Sequence, residues 1–141
     1  MFSPIKLSDN YYVAPQILTD DIPSIKEMGF DLVINNRPEG ESDEQPNGNS
    51  LRDAVESTGL RYVENPIVLS SLSLSEVGVQ AEACSGKSKV LAFCRTGTRS
   101  SVLWVLNNEG ADKSFEELVG DVQASGIDLA RCMGVMEGLK G

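Results

Sequence analysis

Apolar residues in this chain recur at two spacings, and the two alternate from one end to the other. Short runs rich in strand-forming residues fall at positions 11–14 (YYVA), 32–34 (LVI), 60–63 (LRYV) and 89–93 (KVLAF), and each predicts a strand. Between them apolar residues fall three or four apart, the spacing of one helical face. A first helix starts from Thr19, Asp20 and Asp21, tolerates Pro23 in its first turn and stops at Gly29. A second, capped by Asn49 or Ser50, carries Leu51, Ala54 and Val55 and ends at Gly59. A third starts at Ser73 or Ser75 and ends before Gly86. Val102, Leu103, Val105 and Leu106 mark a fourth, beginning near Arg99. Ser114-Phe115-Glu116-Glu117 has the form of a capping box for a fifth, which stops at Gly126. A last helix covers roughly 129–139.

Strands that alternate with helices predict an α/β fold: a mainly parallel central sheet of four to five strands flanked by helices, in one domain spanning 1–141. In such sheets the working site lies beyond the carboxyl ends of the strands. Three segments follow strands on that side. They are the polar, Pro- and Gly-punctuated loop 35–48, the stretch 64–73, and whatever follows the strand at 89–93.

The last of these is the most informative. After Phe93 come Cys94, Arg95, Thr96, Gly97, Thr98, Arg99 and Ser100, and then the fourth helix. A tight Gly-containing loop leading into a helix turns successive N–H groups toward one point, and the helix start adds partial positive charge. A cysteine at the lip of that cradle sits in a field favouring thiolate over thiol. Arg99 closes the loop with a guanidinium suited to gripping an oxyanion at two points. A cysteine at a strand end is otherwise a small core residue, but a core position needs neither the two arginines nor the glycine. Cys84 and Cys132 have no comparable setting and read as structural.

Composition narrows the chemistry. A net charge of −9 argues against a nucleic-acid partner and against an acidic membrane surface. Three cysteines without close pairing argue against a disulfide framework and for a reducing, cytoplasmic setting. The start, MFSPIKLSDN, lacks the charged and apolar regions of a secretory signal. The chain has no histidine. That removes a Cys–His dyad, a Ser–His–Asp triad and any histidine metal site, so Cys94 has to be activated by the loop and helix alone. Neither a metal nor a cofactor is expected, and the oligomeric state is not readable.

Beyond the loop, the segments Tyr12-Val13-Ala14-Pro15-Gln16, Gly29-Phe30, Val33-Ile34-Asn35-Asn36-Arg37-Pro38, Gly59-Leu60 and Phe93-Cys94-Arg95-Thr96-Gly97-Thr98-Arg99-Ser100, with Trp104, resemble one family. It is the phosphatase-like domain of beta-lactamase-hydrolase-like proteins, a bacterial relative of dual-specificity tyrosine phosphatases. The resemblance covers the chain to about Asn107. It implies a dual-specificity-phosphatase-like fold and a phosphorylated substrate. Cys94 would be the nucleophile and Arg99 the oxyanion clamp. Ser100 would ease thiolate departure, and the amides of Arg95, Thr96, Gly97, Thr98 and Arg99 would form the cradle.

Two departures from that family keep alternatives open. Four residues separate Cys94 from Arg99, where tyrosine phosphatases usually have five. No aspartate lies between Asn65 and Gly86, where their general acid is usually found. Arg37, Glu39, Glu41 and Glu64 are then the candidates for a substrate or acid loop, with Glu76 a further carboxylate. The spacing resembles that of rhodanese sulfurtransferases, in which the cysteine carries a persulfide and needs no acid. The readings are thus a phosphatase-like hydrolase, a sulfurtransferase acting on a sulfur-bearing anion, or an idle module that binds anions or phosphopeptides.

Overall fold

The computed structural model describes residues 2–86 and 88–140. Five strands form one sheet: β1 (Ile5–Ser8), β2 (Tyr11–Ala14), β3 (Leu32–Asn35), β4 (Arg61–Glu64) and β5 (Val90–Phe93). Their order across the sheet is β1-β2-β5-β3-β4. β2, β5, β3 and β4 run parallel, and β1 is an antiparallel edge strand on β2. The sheet is thus the expected mainly parallel one. β1 has no counterpart in the sequence reading: its short run, IKLS, is only half-buried and carries too little apolar alternation to stand out.

Among the described residues six α-helices cover the sheet: α1 (Ile22–Glu27), α2 (Gly48–Ser57), α3 (Leu74–Ala83), α4 (Thr98–Asn108), α5 (Phe115–Ala124) and α6 (Met133–Leu139). Strand side chains alternate between two cores, as the period of two requires. Leu32, Ile34, Val90 and Ala92 pack with Val102, Val105, Phe115, Leu118 and Val122 from α4 and α5. Val33, Leu91 and Phe93 face the other way, onto Ile22, Ile25, Leu51 and Val55 of α1 and α2. β5 is buried on both faces, which explains its uninterrupted apolar run.

Helix starts follow their caps. Ser73 and Ser114 each accept an N–H from the helix they precede, and Glu76 and Glu117 return to the cap backbone in full capping boxes. The cap of α2 is Asn47, which accepts the Asn49 N–H at 2.8 Å, two residues before the expected start. An Asn competes for this role wherever its backbone is extended, and Asn47 is the one with that geometry. The expected last helix is split: 129–132 passes through a 3-10 turn (Ala130–Cys132) before α6 begins.

The register places the site. Ala14 pairs with Phe93, Asn35 with Phe93, and Asn35 with Glu64. Four parallel strands therefore end level, and the segments that leave them emerge along a single edge. Cys94 N–H continues the ladder onto Ala14 O, and Asn36 N–H onto Phe93 O.

Candidate active site

Cys94 is the first residue past β5 and is completely buried. Its Sγ accepts the Gly97 N–H at 3.1 Å. Gly97 has φ of 91°, a left-handed conformation that costs an L-residue roughly 1–2 kcal/mol. An added Cβ would meet the Ala14 backbone and Ile127 only at ordinary contact distance, so backbone conformation rather than space demands glycine here. This turn swings the chain from strand to helix within four residues and aims an amide back at sulfur. α4 starts at once, at Thr98, with no side-chain cap. Its first-turn amides have no partner within a helix, and the helix start adds positive potential.

Arg99 lies beside the thiol. Its hydrogen bonds to Glu41 raise its pKa above the ordinary arginine value and outweigh the cost of burial, while the neighbouring Cys94 sulfur adds to the effect. The Arg99 Nη1 donates to Glu41 Oε2 at 2.7 Å and to Ile67 O at 3.0 Å, and Nη2 donates to Glu41 Oε1 at 2.8 Å. Arg37 Nε donates to the same Glu41 Oε1 at 2.9 Å, and its Nη1 to Gln16 Oε1 at 2.9 Å. One carboxylate thus bridges two arginines from different strand ends.

Hydrogen bonds from Arg99 and then Arg37, against the opposing effect of burial, pull the Glu41 carboxyl from the ordinary 4.5 down to about 2. At neutral pH Glu41 has no proton to give. Expected as a possible acid, it is instead an ion-pair anchor.

The other expected carboxylates lie elsewhere. Glu39 accepts the Gly48 N–H at the start of α2. Glu64 pairs with Arg52 at 3.0 Å. These two border a separate cavity with Asn35, Arg37 and Pro66. Glu76 is spent on the α3 cap. Arg37 lines that cavity and reaches Glu41, the partner of Arg99.

Ser100, expected to ease thiolate departure, donates its hydroxyl to Asn36 Oδ1 at 2.8 Å. It belongs to a buried network beneath the loop. Gln80 Nε2 donates to Asn36 Oδ1 and Tyr11 Oη, Asn36 Nδ2 donates to Gln80 Oε1 and Asn65 O, and Tyr11 Oη donates to Ser100 O. The network ties β2, β3, α3 and the first turn of α4 together, and every polar group in it has a partner. Burial drives the Tyr11 phenol pKa well upward, so it stays a neutral donor. Asn35 completes the turn by accepting the Arg37 N–H.

Above the loop opens a cleft of ≈ 660 Å³, lined by Arg95, Thr96, Arg99 and Glu41, with Val68 and Leu69 from the segment after β4 and Arg131 from the turn before α6. The three segments expected to converge do so. Arg131 is the functional candidate that sequence reasoning missed. Its one signal is that it is the lone basic residue between Lys113 and Lys140. Among the described residues no cluster of His, Cys, Asp and Glu could hold a metal ion, and no helix is long and apolar enough to cross a membrane.

Comparison with known proteins bears on the family and the fold. A curated beta-lactamase hydrolase-like protein of Agrobacterium fabrum is 28% identical over 125 residues, covering 88% of this chain and 27% of the relative. One from Xylella fastidiosa is 28% identical over 137 residues, covering 94% of this chain and 31% of the relative. The chain therefore spans less than a third of the length of the curated relatives it matches. Among solved structures, a candidate phosphatase from Neisseria meningitidis superimposes with a TM-score of 0.83 at 26% identity, covering 95% of this chain and 96% of that one. The active form of Tk-PTP superimposes with a TM-score of 0.78 at 18% identity, covering 98% and 96%, a likeness of fold. The family model of the beta-lactamase hydrolase-like protein phosphatase-like domain matches residues 5–111. This chain belongs to that family and has the fold of the tyrosine and dual-specificity phosphatases.

Proposed function

We propose that the chain is a cysteine-dependent phosphoester hydrolase, with Cys94 as nucleophile and Arg99 as oxyanion clamp. One observation carries the reading: the Cys94 sulfur takes a loop amide at 3.1 Å beside Arg99, under an uncapped helix start, in a phosphatase-like fold. The thiolate attacks phosphorus, the bond from phosphorus to the leaving oxygen breaks, and that oxygen takes a proton from water. Water then attacks the cysteinyl phosphate, the S–P bond breaks, and inorganic phosphate leaves with the thiolate restored. Arg99 and the amides of Arg95, Thr96, Gly97, Thr98 and Arg99 stabilise the equatorial oxygens. Ser100 acts through Asn36 as a positioning residue for the loop.

A second reading, sulfur transfer through a persulfide on Cys94, is favoured by the ionised state of Glu41 at the rim. No protonated acid stands there, and a persulfide carrier needs none. Aryl-phosphate hydrolysis and thiosulfate-to-cyanide sulfur transfer, each with wild type and Cys94→Ser, separate the two. Hydrolysis that disappears in Cys94→Ser supports the phosphatase. Sulfur transfer without hydrolysis selects the second reading, and neither activity leaves an anion-binding module.

A further inference from the structure

We propose a second anion-binding arm in this cleft, made by Arg131 and supported by Arg95, that selects phosphoesters whose organic part carries another anionic group. The inference rests on the phosphoester reading of Cys94 and Arg99 and names the substrate class for that site.

The chain has 21 acidic against 12 basic residues, so a basic side chain finds a carboxylate easily. Lys6, Arg37, Arg52, Arg99, Lys113 and Lys140 each do so. Lys26, Arg61, Lys89, Arg95 and Arg131 make no ion pair among the described residues, and of these five only Arg95 and Arg131 line the cleft that holds Arg99. Both are exposed. Asp128 borders the adjoining cavity together with Arg131. Its Oδ1 is taken by the Ala130 N–H at 2.9 Å, within the turn that carries Arg131.

The cleft, at ≈ 660 Å³, falls in the ~300–1,000 Å³ range of sites for organic ligands and is far larger than a phosphoryl group needs. It continues into a cavity of ≈ 470 Å³ that shares Thr96 and Arg131 with it. Arg131 therefore stands where the two cavities meet, on the segment before α6 and not on the loop itself, where the far end of a substrate would lie. Its base is fixed, because Leu129 and Cys132 on either side are fully buried. Val68, half exposed at 51%, and Leu69 offer an apolar wall for the part between the two charges. Guanidinium suits either a phosphate or a carboxylate at that end.

Calorimetric titration with non-hydrolysable probes tests the arm: phenylphosphonate, meta-phenylenebisphosphonate and meta-carboxyphenylphosphonate, against wild type, Arg131→Ala, Arg131→Lys, Arg95→Ala and Arg99→Ala. Wild type should bind at least one of the two-charge probes about tenfold more tightly than phenylphosphonate, the scale of one charge-assisted hydrogen bond. In Arg131→Ala that ratio should fall to within about twofold, the statistical value for two equivalent ends. Arg131→Lys should recover part of it, and Arg95→Ala should lower it less. Unchanged melting temperatures show that each variant is folded. A wild type without preference, or a preference that survives in Arg131→Ala, overturns the arm and leaves the Cys94 reading standing. No binding of phenylphosphonate, or binding indifferent to Arg99→Ala, overturns the loop reading and the arm with it.

Discussion

Arg99 and Glu41 meet at two points, Nη1 to Oε2 at 2.7 Å and Nη2 to Oε1 at 2.8 Å. The fork that would grip two phosphoryl oxygens is already gripping two carboxylate oxygens. The pair is shielded, with side-chain exposures of 13% and 27%, so it is stronger than a surface bridge. An incoming oxyanion that takes this fork has to displace a carboxylate that belongs to the protein.

Glu41→Gln should therefore tighten inorganic phosphate binding several-fold while lowering stability by roughly 1–3 kcal/mol, because Arg37 and Arg99 lose their shared charge. Phosphate titration and urea unfolding on the same variant measure both effects. Weaker phosphate binding would mean that Glu41 positions Arg99 for the ligand instead of competing with it.

Acid should act on the same pair. The folded pKa of Glu41, about 2, lies below the ordinary 4.5, so its contribution to stability is fully present above pH 4.5 and is lost as pH falls toward 2. The stability gap between wild type and Glu41→Gln should be constant from neutral pH to about pH 5 and close progressively below it. A gap of equal size at pH 7 and pH 3 would show that the ion pair contributes nothing.

The three thiols should differ in reactivity. Burial pushes the Cys84 thiol up to about 11 and raises Cys132 too, whereas Cys94 has the Gly97 amide on its sulfur and Arg99 beside it. Iodoacetamide at neutral pH should modify Cys94 first, even though Cys84 is the more accessible residue. Added phosphate should slow that labelling. Faster modification of Cys84 would count against the cradle.

Gln80 holds the network under the loop. Gln80→Leu keeps the volume but strips partners from Asn36, Asn65 and Tyr11, which should cost about 2–4 kcal/mol. Urea unfolding checks it, and a loss below about 1 kcal/mol would show that water replaces the amide.

The sheet was legible because it rests on local pattern, β5 being apolar throughout, and the loop from strand to helix because Cys94 to Arg99 are consecutive. Glu41's role was not, since it depends on an arginine 58 positions away, and side-chain type alone cannot separate an acid from an anchor. The partner of Ser100 was not legible for a similar reason: Asn36, just past β3, is a buried acceptor that only the folded sheet brings near. Arg131 lay in an otherwise ordinary helical segment, and nothing local marks the cleft it borders.

The central claim is that Cys94 forms a bond to phosphorus. Rapid acid quench of the protein with an activated aryl phosphate, followed by mass spectrometry of its peptides, tests this directly. The account predicts one phosphoryl group on the peptide bearing Cys94, appearing before steady state and missing in Cys94→Ser. Aryl phosphate turned over by wild type and Cys94→Ser alike, with no modified Cys94 peptide, would contradict it.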